Sequence, residues 1–210
     1  MKYIKGLFLI SLIVILAACS NKTADLQAFY NQVDEGNKIE KKLEKTSADL
    51  EKLENDKLQL FNKVNKAKAK DLKGLADKLI KNTDERKKTA DKESEVMKKS
   101  QKIFEESKQD AKSVKDKTQK KHVEKLVTVL DDKYAKHENL MKSYQEILKK
   151  EQDLFKYLKD DALDKSIVNE KIAAITKLYE GFQKKTDDYT KTSRLVEQRK
   201  QSIVKILNEK

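Results

Sequence analysis

After residue 20 the chain holds no proline and only three glycines, Gly36, Gly74 and Gly181, so almost nothing in it enforces the end of a helix. Large apolar residues recur along it at intervals of three and four, the spacing that lines them up on one helical stripe. No stretch alternates with the period of two that a half-buried strand needs. The sequence therefore predicts long helices, each with one face to bury.

Four such runs are legible. The first begins near Ala24 with Leu26, Phe29 and Val33 and ends at Leu60, Phe61 and Val64. Asp34-Glu35-Gly36-Asn37 interrupts its stripe and is expected to bend or fray it. Residues 65–71 lack large apolar side chains and read as a turn. The second run, from Leu72 to Val114, has a polar middle: its register passes through Thr83, Arg86, Glu93, Ser100 and Ser107. Either the bundle is thin there or these side chains reach across to partners. Residues 112–125 read as a second turn, with six lysines against Asp116 and Glu124. The third run, Val123 to Leu158, is the most regular, and Val127, Leu140, Ile147 and Leu154 widen its stripe. A break at 159–166 follows, with Asp161 or Asp164 as the N-cap of the last run, Ile167 to Leu207. The fold class this specifies is all-α: an elongated up-and-down bundle of about four long helices. A coiled-coil rod of fewer strands would use the same spacings, and the wide third stripe favours the bundle.

The first 23 residues have a different character. Lys2 and Lys5 precede an apolar run from Gly6 to Ala18, which ends in Leu16-Ala17-Ala18-Cys19 and then turns polar. The run is short for a membrane span, which takes about 20 apolar residues. A positive start, a short apolar core and small residues at a cut site describe a secretory signal. The quartet Leu16, Ala17, Ala18, Cys19 resembles a bacterial lipobox. It implies cleavage after Ala18 and lipid, a diacylglycerol and an acyl chain, on Cys19. The organisation read from this is a lipoprotein signal peptide at 1–18, a lipidated N-terminus and tether at 19–23, and an extracytoplasmic helical bundle at 24–210. Cys19 is the single cysteine, so no intramolecular disulfide can staple the bundle.

Charge narrows the partners. Lys and Arg number 48 against 36 Asp and Glu; without Lys2 and Lys5 the remainder is 46 against 36, a net +10. Such a balance favours anionic lipid headgroups, anionic wall polymers or nucleic acid. Only Arg86, Arg194 and Arg199 are arginines, and no nucleic-acid-binding motif is present, which argues against nucleic acid. If the legs alternate in direction from Cys19, the 112–125 turn returns to the membrane side. Lys112, Lys115, Lys117, Lys120, Lys121 and Lys125 then become the candidate contact with an anionic surface, the competing reading being a solvated loop. The Lys-rich 66–73 and acidic 160–164 turns would meet at the far end and satisfy each other.

Catalytic groups are sparse. His122 and His137 are four turns apart, about 22 Å, too far to share a metal. His137 falls on the apolar stripe and reads as a packed core histidine; His122 reads as a surface residue. The pairs Asp131-Asp132, Asp160-Asp161 and Asp187-Asp188 are sequence neighbours and do not face each other on a helix. No Gly-rich phosphate loop and no nucleophile or zinc motif occurs. Tyrosines 134, 144, 157, 179 and 189 could stack on sugars from an exposed face, but Tyr134 and Tyr144 lie in the core register. Gly181 either permits close helix approach or is a tolerated defect. The reading is non-enzymatic, with no metal and no cofactor beyond the lipid.

Taken with the lipobox, several segments resemble the cell-wall-binding lipoproteins of Gram-positive bacteria, the YkyA-like group. They are Leu50-Glu51-Lys52-Leu53-Glu54 to Leu60-Phe61, Asp84-Glu85-Arg86-Lys87, Asp91-Lys92-Glu93, Ser100-Gln101-Lys102-Ile103-Phe104, Lys133-Tyr134 to Tyr144, and Asp153-Leu154-Phe155-Lys156-Tyr157-Leu158. The resemblance implies a helical bundle on the outer face of the cytoplasmic membrane, with peptidoglycan or teichoic acid as partner and no catalytic residues. The alternative is a membrane-tethered scaffold or adaptor that binds another envelope protein through a helix face.

Overall fold

Helix begins where the periodicity begins. The computed structural model describes residues 23–209, and nearly all of them belong to five helices: α1 (Ala24–Glu40), α2 (Leu43–Val64), α3 (Ala69–Ser113), α4 (Lys117–Tyr157) and α5 (Lys165–Asn208). α1 and α2 run end to end along α3 and form one leg, so the five helices make the four legs of an up-and-down bundle. α3 packs on α4, and α4 on α5. The longest leg, at 1.5 Å per residue, is about 65 Å.

Three apolar layers show the alternation of direction. At one end, Leu26, Phe29 and Val33 of α1 meet Phe104 of α3, Val123, Leu126 and Leu130 of α4, and Ile203 and Val204 of α5. In the middle, Leu50, Ala90, Leu140, Tyr144, Leu148 and Phe182 pack together. At the other end, Leu60, Phe61 and Val64 of α2 cover Ala76, Leu79, Leu154, Phe155 and Ile175. The first end holds the start of α1, the α3–α4 link and the end of α5. It is called the near end below, because Cys19 lies five residues before Ala24.

Side chains on the polar register of α3 do reach across. Arg86 has no exposure. It donates to Glu54 of α2 at 2.8 Å, to Glu151 of α4 and, through Nε, to Asn82 at 2.9 Å. Lys57 bridges Glu151 at 3.0 Å and the Tyr179 hydroxyl at 2.7 Å, and Tyr144 donates to Glu54 at 2.6 Å. One ion cluster thus ties α2, α3, α4 and α5 at a single height. It matters most for α2, which has no fully buried residue. Closer to the near end, Glu40 pairs with buried Lys133, and the Ser100 hydroxyl lies 2.8 Å from both Glu40 and the Tyr134 hydroxyl. Between the two, His137 is buried beside Glu93 at 3.1 Å, with the Tyr189 ring 5.4 Å away. Both Tyr134 and Tyr144 are buried, as their register predicts.

Two boundaries differ from expectation. α1 does not break around Gly36; it continues to Glu40, and the break falls at Lys41-Lys42, where Lys42 N–H bonds the Ile39 carbonyl at 3.1 Å in a tightened turn. Gly36 instead allows close packing, since an added Cβ would sit 3.2 Å from Ser100 Oγ. Gly181 faces open space, with nothing within 4 Å of an added Cβ, so it permits no close approach. The 112–125 turn shrinks to Val114–Asp116, because Asp116 caps α4 by accepting from Thr118 and Gln119 N–H at 2.9 Å each. Of the two N-cap candidates for the last leg, Asp164 is the one used, accepting from Ser166 N–H at 2.7 Å.

Burial raises the Glu54 carboxyl pKa, but Arg86, Lys57 and the bond from Tyr144 outweigh it, and the group is held below the usual carboxylate range. Such a carboxyl binds fewer protons folded than unfolded. Its contribution is complete above the unfolded value, about 4, and vanishes as pH falls through the folded one. Replacing Arg86 by Met leaves Glu54 and Glu151 facing each other without their cation, and should cost about 3–5 kcal/mol in denaturant unfolding. For Glu54→Gln, the loss of melting temperature relative to wild type should be full at pH 7 and shrink below about pH 4. A difference that stays constant across that range contradicts the ion-pair account.

Candidate functional site

The α3–α4 link is shaped by two residues that do not contact solvent in the same way. Val114 turns inward and plugs the near-end core at 2% exposure, while Asp116 turns back to cap α4. What remains outward is lysine. Lys112 ends α3, Lys115 lies in the link, and Lys117, Lys120, Lys121 and Lys125 occupy the first turns of α4. All six are exposed and none has an ion pair among the described residues. Elsewhere on the surface Lys38, Lys87, Lys108, Lys136 and Lys142 each pair with an acid on their own helix, whereas Lys81, Lys149 and Lys184, among others, do not.

These six residues thus share one end, five of them on helices and Lys115 in the link. The same end carries the start of α1 and the last turns of α5, which add Lys205 and Arg199. Arg199 is the residue that reading by periodicity missed. It lies one place before a register position, and its neighbourhood with Lys121 and Lys125 exists only once α5 folds back along α4. His122, expected at the surface, is half-buried beside Val123.

At the far end the Lys-rich and acidic turns meet through Lys73–Asp161 at 2.6 Å, and Lys159–Asp77 adds a second exposed pair beside them at 2.6 Å. The pairing is incomplete. Lys63, Lys66, Lys68 and Lys70 are exposed without an ion pair among the described residues.

Leu16, Ala17, Ala18 and Cys19 lie outside the described residues. Among the described residues no helix is long and apolar enough to cross a membrane, and no three His, Asp or Glu side chains are grouped to hold a metal ion. Two further tyrosine hydroxyls are engaged internally: Tyr179 with Lys57 and Glu151, and Tyr157 with the Asp164 N–H at 3.1 Å.

The chain was compared with known proteins. The YkyA family model, described as "Putative cell-wall binding lipoprotein", matches residues 25–206. A 1.6 Å crystal structure of a conserved protein of unknown function from Staphylococcus aureus is similar, with a TM-score of 0.76 and 29% sequence identity, over 90% of this chain and 97% of that one. No curated protein matches. Neither match carries an enzymatic description.

Because the six lysines have no partner to lose, changing any of them to Gln should move unfolding stability by no more than about 0.5 kcal/mol. Asp116→Ala, which uncaps α4, should lose about 1 kcal/mol. Thermal melts of the two sets test this, and a lysine change that destabilises as much as the cap would contradict it.

Proposed function

The chain belongs to the YkyA family, and from that premise we propose that it is a non-enzymatic envelope lipoprotein that engages anionic surfaces through its two basic ends. Diacylglycerol and an acyl chain on Cys19 hold it at the outer face of the cytoplasmic membrane. The observation that carries this reading is the set of six unpaired lysines at the end where α1 begins. Five residues of tether span at most about 18 Å, so lipid on Cys19 keeps that end close to the bilayer. Each lysine near an anionic leaflet adds about 1 kcal/mol, screened by salt. The opposite end stands about 60 Å away. Its unpaired Lys63, Lys66, Lys68 and Lys70 suit teichoic acid, or other anionic polymer associated with peptidoglycan.

One observation favours the adaptor reading as a second choice. α2 has no fully buried residue, so it is the helix most readily lent to a protein partner.

Sedimentation with purified cell walls tests the first reading. Binding should fall on removal of teichoic acids and be lost toward 1 M salt, where the Debye length shrinks to about 3 Å. Changing Lys63, Lys66, Lys68 and Lys70 together to Glu should weaken wall binding by about tenfold or more, since four attractive charges become repulsive. Absence of wall binding at low salt, together with recovery of one stoichiometric membrane protein in a pull-down, would overturn it in favour of the adaptor.

A further inference from the structure

Of the three arginines, Arg86 is fully paired and Arg194 is exposed. Arg199 is different. It is half-buried, has no hydrogen bond or ion pair among the described residues, and its Nε is inaccessible to solvent with no partner. A guanidinium cannot shed its charge, and a buried donor left unpaired calls for an anion or water to complete it. Arg199 sits in an open groove between the first turns of α4 and the last turns of α5, lined also by Lys121, Glu124, Lys125, Thr128 and Val129. Lys121 and Lys125 are one helical turn apart and lean the same way. Three cations therefore border the groove against one acid, Glu124. The Thr128 hydroxyl is spent on the Glu124 carbonyl at 2.9 Å. Val129 gives the groove an apolar side.

We propose that Arg199, Lys121 and Lys125 form a binding site for a phosphodiester anion, and that its occupant is the headgroup phosphate of an anionic phospholipid. A guanidinium offers a planar fork that matches two phosphate oxygens, with the two ammonium groups supplying the flanking charge. The groove opens at the near end, so the choice of lipid over other phosphodiesters rests on the lipid-anchored reading above. Here the near end does more than hover over the bilayer: it grips individual lipids and fixes the rotation of the bundle about its long axis.

The test uses the full chain in a neutral, phosphate-free detergent and follows arginine Nε–H signals by NMR. With three arginines in the chain the spectrum is sparse, and the Arg86 signal reports that the fold is intact. Glycerophosphoglycerol should shift the Arg199 signal saturably and leave Arg194 in place, while acetate at equal ionic strength should not. Phosphatidylglycerol in mixed micelles should bind more tightly than soluble poly(glycerol phosphate). Arg199→Lys keeps the charge but loses the fork, and should weaken phosphatidylglycerol binding by about tenfold. Lys184→Gln, an exposed change on the same helix away from this end, should weaken it by less than about twofold. Equal shifts with acetate, or Arg199→Lys binding like wild type, would overturn the site. Tighter binding of the soluble polymer would overturn the lipid as its occupant. A native protein whose Cys19 carries no lipid would remove the anchor while leaving the response of Arg199 to phosphodiester standing.

Discussion

A guanidinium with no exposure, halfway along a bundle about 65 Å long, constrains everything near it. Arg86 cannot be neutral and cannot reach water, so acceptors must be brought to it. They come from two other helices, Glu54 and Glu151, while Lys57 and Tyr179 hold those acids from outside. Apolar stripes alone would let α2 slide along α3 by a turn at modest cost. The ion cluster does not, because one turn of slip strands a buried charge. Glu40, Lys133, Ser100 and Tyr134 impose a second such constraint one layer away. Two polar clusters thus fix the register that the greasy surfaces leave loose, and register decides which residues reach which end.

The helices, their number of legs and most of the core were legible because 3.6-residue periodicity is a local property. Leu26, Phe29, Leu79, Leu126, Leu130, Phe155 and Ile203 are core residues in the structure as in the pattern. The polar register of α3 was visible too, but its partners were not. Nothing local says that Arg86 meets residues 32 and 65 places away. Gly36 shows the opposite failure: a glycine that looks like a breaker serves close packing, since its missing Cβ makes room for Ser100. Lysines 117 to 125 looked like a turn because they lack apolar residues, yet a capping aspartate and good intrinsic propensity suffice for a surface helix. Of the candidate site, the six lysines could be listed from sequence, whereas Arg199 became visible only when α5 returned alongside α4.

The functional reading follows from where unpaired lysines gather. Along its flanks the bundle neutralises part of its own charge with ion pairs one helical turn apart. The near end and the α2–α3 turn each gather several lysines that have no ion pair among the described residues. Unpaired lysines gathered at both tips of a rod suit end-on contact with extended anionic surfaces. On the proposed attachment through Cys19, a bundle of this length would bridge the membrane face and the first layer of wall polymer without any moving part.

End-on attachment is therefore the central claim, and a distance measurement on the membrane addresses it most directly. Cys19 is the only native cysteine, so a second cysteine placed at Ser113 or at Ala162, both exposed, can be labelled alone in the lipidated protein. With an energy acceptor in the headgroups of phosphatidylglycerol-containing vesicles, the label at 113 should be strongly quenched. The label at 162, about 60 Å further out, should be nearly unaffected. Equal quenching at the two positions would mean that the bundle lies flat, and would contradict the account.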